Sequence, residues 1–228
     1  MSDRKTRTDK GTIKIMPRDV RVLSWIGEMY AVRFDTLAIL LAQEKEDQEA
    51  LDVGGVYAVV KRWQKAGFVE SRNIFREEPN YVWLTSLGLK EFGFEFEYRP
   101  PALTQVNHYH QTNRVRLLVE QEKGFEEWVS ERTFRNKNKR IRYTDGIAYI
   151  DGKKVGIEVQ LSREDRDDYD KKLSTFCDKS QYDFDRLWIY TTREESVKNA
   201  VLRYGKKVGM KKEEYSFFRV IPINEEQT

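Results

Sequence analysis

Apolar residues along the chain recur first at helical and then at strand spacing, and the switches between the two periods outline its elements. Val22, Trp25, Ile26 and Met29 predict a helix from Arg18, with Pro17 in the first turn, where proline is tolerated. A second short helix is predicted from Asp35 as N-cap through Leu37, Leu40 and Leu41. The acidic stretch from Gln43 to Asp52 breaks the pattern and reads as a connection. A third helix is predicted over 54–66, with Val56, Val60 and Trp63 as its core stripe and Gly67 as a C-terminal stop. Phe68 to Asn73 and Tyr81 to Leu84 then read as two short strands, joined by a polar stretch ending in Glu77-Glu78-Pro79-Asn80. Thr85 is placed to cap a last helix through Phe92.

Arg99-Pro100-Pro101 is stiff and aperiodic, so a domain boundary is expected there. Past it, Gln105 to Gln121 reads as a helix with Val106, Val115, Leu118 and Val119 as apolar positions, and Phe125 to Arg132 as a strand. Tyr143 to Ile150 and Val155 to Leu161 are predicted to pair through a tight turn at Asp151-Gly152. A charged helix over 164–179 follows, with Tyr169, Leu173, Phe176 and Cys177 facing inward. Then come a buried strand from Arg186 to Thr191, a helix over 194–206, and a last strand from Tyr215 to Ile221. This order gives a mixed sheet flanked by helices. The expected divisions are a basic flexible tail over 1–16, a first domain over 17–97, a linker over 98–103 and a second domain over 104–223.

Composition narrows the picture modestly. Twenty-nine aromatic residues among 228 argue for packed cores despite a charged fraction of 35%. No apolar run approaches the ~18 residues of a membrane span, and the polar N-terminus does not look secretory, so a cytoplasmic location without membrane attachment is expected. The lone Cys177 excludes an internal disulfide and fits apolar core. Residues 1–99 balance their charges, and the whole net excess of +3 lies beyond Arg99. Clustering therefore says more than the total. On the third helix Tyr57, Lys61 and Lys65 share a face with Arg62 beside it, and Arg72 and Arg76 follow in the hairpin, so that residues 54–76 set five basic side chains against Glu70 alone. Either these bind nucleic acid or they form an ordinary solvated face. The stretch 132–142 carries six basic side chains and no acid, including Arg135, Lys137, Lys139, Arg140 and Arg142. It reads as a loop that either holds phosphate or is simply solvated.

Two acids fall where metal chemistry would need them. Asp145 opens one hairpin strand, Glu158 lies on its partner, and Gln160 shares the face of Glu158. Twelve residues separate the acids with the turn near the middle, so folding the hairpin brings them together. Paired carboxylates form a hard site suited to Mg²⁺ or Mn²⁺. The competing reading makes Asp145 a turn residue and Glu158 the exposed face of an edge strand. His108 and His110 point some 200° apart on a helix and are poor joint ligands. The sequence has no glycine-rich phosphate loop, GxSxG or CxxC, and suggests no organic cofactor.

The run Val60-Lys61-Arg62-Trp63-Gln64-Lys65-Ala66-Gly67-Phe68-Val69, followed by a hairpin and Tyr81-Val82-Trp83-Leu84-Thr85-Ser86-Leu87-Gly88, resembles a bacterial winged helix-turn-helix. Thr144-Asp145, with Glu158-Val159-Gln160 twelve residues on, resembles the PD-(D/E)XK nuclease superfamily. The combination resembles the replication-relaxation family of plasmids and integrating elements, as do His108-Tyr109-His110-Gln111-Thr112-Asn113-Arg114-Val115-Arg116 and the Lys171-Lys172-Leu173 run. The resemblance implies an α+β protein, with an N-terminal winged helix-turn-helix followed by an α/β domain of restriction-endonuclease type. It implies double-stranded DNA as a partner, a relaxase or replication protein as another, and a role in plasmid replication, mobilisation or its regulation; a homodimer stays open. It also implies that Asp145 and Glu158 hold the metal. Thr144 replaces the motif's proline and Gln160 its lysine, which an amide cannot match in charge. A weakly active or inactive nuclease-like domain is therefore expected, unless Lys171 or Lys172 on the next helix supplies the cation. A metal-dependent endonuclease and a winged-helix transcriptional regulator are the rivals. The first-helix acid of many such nucleases has no clear counterpart; Asn113 is the nearest match, with Glu120 two turns later.

Overall fold

The computed structural model describes residues 14–43, 50–137, 144–177, 184–207 and 218–223, though not the side chains of 135–137, 177 and 218. The architecture is mixed α+β, and the chain divides into two compact units. Among the described residues, the first comprises those up to Gly27 and those from Arg33 to Pro100; the second comprises Glu28–Val32 and those from Pro101 on.

The first unit contains α1 (Pro17–Glu28, whose last residue groups with the second unit), β1 (Val32–Arg33, whose first residue does likewise), α2 (Phe34–Ala42), α3 (Val53–Lys65), β2 (Val69–Arg72), β3 (Tyr81–Leu84) and α4 (Ser86–Glu91). The strands form a sheet in the order β1-β3-β2, and β2 pairs antiparallel with β3 from Val69↔Leu84 to Arg72↔Tyr81. Its core is built by Val22, Leu23 and Ile26 of α1, Leu37, Leu40 and Leu41 of α2, and Val56, Val60 and Trp63 of α3. Asp52 caps α3 by accepting from the Gly55 N–H at 2.9 Å. Gly67, at φ +77°, lets the chain leave α3 directly into β2. Thr85 caps α4 as expected, accepting from the Gly88 N–H at 3.0 Å. The second helix starts one residue before its expected cap. Arg33 holds the cap position, since the burial of Phe34 draws it into the helix, and Asp35 sits in the first turn accepting from the Arg33 guanidinium.

The second unit contains a 3₁₀ turn (Leu103–Gln105), α5 (Val106–Glu120), β4 (Phe125–Ser130), α6 (Glu131–Lys137), β5 (Gly146–Ile150), β6 (Lys153–Gln160), α7 (Arg166–Cys177), β7 (Arg186–Thr191), α8 (Glu195–Lys207) and β8 (Phe218–Pro222). The sheet order is β4-β5-β6-β7-β8, with antiparallel pairing from β4 to β6 and parallel pairing from β6 to β8. Strand β6 is thus central, and its last six residues are all buried. Asp151 and Gly152 take φ +50° and +68° and close the β5–β6 hairpin with both turn residues left-handed, as the sequence predicts. Tyr169, Leu173 and Phe176 of α7 pack with Val201 and Tyr204 of α8 over Leu187 and Ile189 of β7. No helix among the described residues is long and apolar enough to cross a membrane.

Two expectations need correction here. The single break at 98–103 is not the only place where the chain changes unit, because Glu28–Val32 groups with the second. Within that unit Arg116 binds Glu28 at 2.6 Å, the Asn113 amide donates to the Ala31 carbonyl at 2.8 Å, and Tyr30 stacks on Tyr109 at 5.0 Å. Nor is the basic stretch from Arg132 a loop throughout: Glu131–Lys137 is helical, with Arg132 buried and its guanidinium 4.3 Å from the Tyr30 ring. The Ser130 hydroxyl meets that of Thr133 at 3.2 Å where the strand gives way to the helix. Lys139, Arg140 and Arg142 lie outside the described residues, as do the basic tail and residues 44–49, while the side chains of Arg135, Lys137 and Cys177 are not described.

Candidate active site

The hairpin register pairs Gly146 with Ile157, so Asp145 and Glu158 follow as the next opposed positions. Asp145 lies just before β5 and is clamped at both carboxylate oxygens. Its Oδ2 accepts from the Val159 backbone N–H at 2.7 Å, and its Oδ1 lies 2.7 Å from His108 Nε2. Glu158 projects from the central strand with its side chain only 8% exposed. A buried carboxylate needs a counter-charge or a proton.

The counter-charge comes from Lys172 on α7. Its ammonium lies 2.9 Å from Glu158 Oε1, 2.8 Å from Gln160 Oε1 and 2.6 Å from Glu164 Oε1. Gln160 turns its amide donor to the Ser162 carbonyl at 2.7 Å and so presents its oxygen to Lys172. Tyr169, Leu173 and Phe176 fix one face of α7 against the core, which carries neighbouring Lys172 inward and leaves Lys171 exposed. Of the two lysines considered, Lys172 enters the site and Lys171 does not. The first-helix expectation is also corrected: Asn113 is buried on Ala31 and Glu120 binds Arg116 at 2.6 Å, so neither lines the cleft.

These groups line an open cleft of about 660 Å³, together with Thr104, Gln105 and Asn107 at the start of α5. Burial, then the charge of Asp145, pushes the Glu158 carboxyl up to about 7, against the opposing pull of Lys172 and His108. For Lys172, burial acts downward, but Glu158 and Glu164 outweigh it and the ammonium is held above its ordinary range. His108 is likewise pulled down by burial yet ends raised, through its hydrogen bond to Asp145 and the charges of Asp145, Glu158 and Glu131. The cleft therefore holds more acid than its cations offset.

That donor set suits a hard divalent ion: two adjoining carboxylates, one of which resists ionising because it is buried and stands beside the other. Among the described residues no three His, Cys, Asp or Glu side chains form a cage. One or two carboxylates, completed by water and phosphate oxygens, are the usual protein contribution to Mg²⁺. His108, Glu131 and Glu164 are titratable members of the cleft that sequence reasoning missed. His108 was weighed only against His110, and indeed the two diverge, His110 being buried. Its actual partner is 37 positions away, and no local periodicity reports such a contact.

In the first unit Tyr57, Lys61, Lys65, Arg72 and Arg76 are solvent-exposed, with Tyr57 edge-on to Phe34 at 5.0 Å. Arg62 departs from that group. Its Nη2 lies 2.6 Å from both oxygens of the fully buried Asp19, which also accepts from the Met16 N–H at 2.9 Å. It ties α3 to α1, with one guanidinium nitrogen committed to Asp19. No family model, curated protein or solved structure matches the chain.

Proposed function

We propose that the chain is a double-stranded-DNA-binding protein, a winged helix followed by a PD-(D/E)XK-like domain, whose cleft hydrolyses phosphodiester bonds with Mg²⁺ or Mn²⁺. The observation that carries this reading is the Lys172 ammonium 2.9 Å from Glu158 and 2.8 Å from Gln160 Oε1. A lysine from α7 stands beside the amide that occupies the motif's lysine position, so the expectation of a crippled site gives way to that of a working one. Bound at Asp145 and Glu158, the ion would polarise a phosphate oxygen and lower the pKa of water. Lys172 stays protonated and serves as a fixed cation for charge that develops on phosphate, a role in which one preorganised donor contributes about a hundred- to a thousandfold in rate. Gln160 steers Lys172, while the Val159 N–H holds one oxygen of Asp145. Lys61, Lys65, Arg72 and Arg76 supply phosphate contacts that position the duplex. The resemblance to the replication-relaxation family assigns the activity to plasmid replication or mobilisation, beside a relaxase or replication protein, in the cytoplasm.

A second reading has one observation in its favour: Lys172 is already engaged by Glu158 and Glu164. On that reading DNA is held without being cut. Supercoiled plasmid incubated with the full chain and Mn²⁺ or Mg²⁺ separates the two. Nicking by the wild type, lost in Asp145→Asn and Lys172→Ala and kept in Lys171→Ala, is the expected result. Retention of plasmid in gel shifts, with no nicking at any divalent-ion concentration, would support the second.

A further inference from the structure

The two acids proposed to hold the metal are each reached by a side chain from a helix. For Glu158 the side chain is Lys172, a charge that any account of the site must use. For Asp145 it is His108, from the first turn of α5, and nothing in the proposed hydrolysis yet requires it. Asp145 precedes β5, so the strand ladder does not by itself orient its side chain. One oxygen is fixed by the Val159 N–H, a backbone group that the sheet holds in place. The other is fixed by the His108 ring at 2.7 Å. With Oδ1 accepting, the ring carries its proton on Nε2, and a second lone pair on each oxygen stays available. The helix that presents His108 is itself anchored: Val106, Val115 and Val119 are fully buried, and Asn113 is bonded to the Ala31 carbonyl.

The geometry points to His108 as the positioning residue for Asp145, holding its carboxylate in the orientation that binds a divalent cation without itself ligating the ion. The inference rests on the proposed metal-dependent reading. Partners in this outer position typically contribute about 10- to 100-fold to metal affinity. A donor that fixes one carboxylate oxygen removes the torsional freedom that would otherwise be lost on binding, so the effect belongs to metal binding and precedes any chemistry.

Mn²⁺ alone, titrated into the full chain and followed by loss of the free-ion paramagnetic resonance signal, reads this directly. Wild type should bind, and Asp145→Asn should not. His108→Ala should bind about 10- to 100-fold more weakly, with an unchanged melting temperature. His108→Gln, whose amide can still donate to Asp145, should recover most of the loss. If His108→Ala fails to fold, His108→Asn against His108→Gln carries the test, the shorter amide being expected to bind more weakly. Wild-type affinity in His108→Ala would overturn the positioning role while leaving the metal reading intact. A nitrogen coupling to bound Mn²⁺ that vanishes in His108→Ala would overturn it in favour of direct ligation. Absence of Mn²⁺ binding by the wild type would overturn the metal reading, and this inference with it.

Discussion

Each unit buries an acid against a cation, and the two pairs differ in what surrounds them. Asp19 in the first unit is fully buried, meets the Arg62 guanidinium at 2.6 Å and takes a further hydrogen bond from the Met16 N–H. One carboxylate faces the Arg62 guanidinium, with that of Arg18 at 3.7 Å, so its charge is fully offset, and the Arg62 contact joins two helices. Glu158 in the second unit meets Lys172 at 2.9 Å, but Asp145 stands beside it and Glu164 shares the same ammonium. There the acids outnumber what the cations offset, and the surplus borders a cleft. Burial of charge is common to both, so burial alone does not mark function. What marks the second site is a neighbouring acid that, added to burial, pushes the Glu158 carboxyl up to about 7, beside a cleft with room for a charged ligand.

The largest effect expected from this contrast is on turnover. Lys172→Ala should slow plasmid nicking about a hundred- to a thousandfold, and Gln160→Lys in that background should restore part of the rate, since the new ammonium would start from the strand position beside Glu158. Equal nicking by wild type and Lys172→Ala would put the second pair in the same class as the first, a structural contact.

Arg62→Ala should act on stability. Removing one partner of a buried pair typically costs about 3–5 kcal/mol, and about 2–3 kcal/mol is expected here because Arg62 is partly exposed. Chemical denaturation of the variant measures it. The nicking rate of the folded fraction should not change, and a marked fall there would break the division between a structural and a working pair.

The acid surplus also predicts a pH dependence. Burial and the charge of Asp145 push the Glu158 carboxyl up to about 7, so below that pH a cation must displace its proton. Mn²⁺ affinity should therefore fall by about tenfold for each pH unit below 7 and level off above it. Calorimetric titrations across that range would show it, and a flat profile would mean that the surplus does not govern binding.

The smallest effect separates Arg62 from its neighbours. Lys61→Ala and Lys65→Ala should each lower the log–log salt slope of DNA binding by about 0.9, with stability changes within about 0.5 kcal/mol. Arg62→Ala should leave the slope unchanged. A loss of slope in Arg62→Ala equal to that of the lysines would return it to the DNA-facing group.

Legibility from sequence followed the range of the interactions. Caps and turns were readable because Asp151-Gly152, Gly67 and Thr85 act on backbone within a few positions of themselves. The juxtaposition of Asp145 with Glu158 was readable too, since a two-residue turn sets the hairpin register. Glu131–Lys137 was misread because a run of basic residues suggested a loop, whereas Arg132 folds inward over Tyr30. The pairing of Arg62 with Asp19 was not readable, because local spacing places Arg62 on a basic helix face while its partner lies 43 positions away.

The sequence by itself determined the succession of helices and strands, the hairpin that carries both acids, and the absence of a lysine at position 160. Periodicity and turn chemistry are properties of neighbouring residues, and they survive reading one window at a time. Only the tertiary structure decided that Lys172 and not Lys171 serves Glu158, that His108 holds Asp145, and that Glu28–Val32 groups with the second unit. Each depends on how a helix rotates against a distant strand or segment. A rotation of one residue, about 100° on a helix, separates an ammonium in the cleft from one in solvent, and the packing of Tyr169, Leu173 and Phe176 sets that rotation.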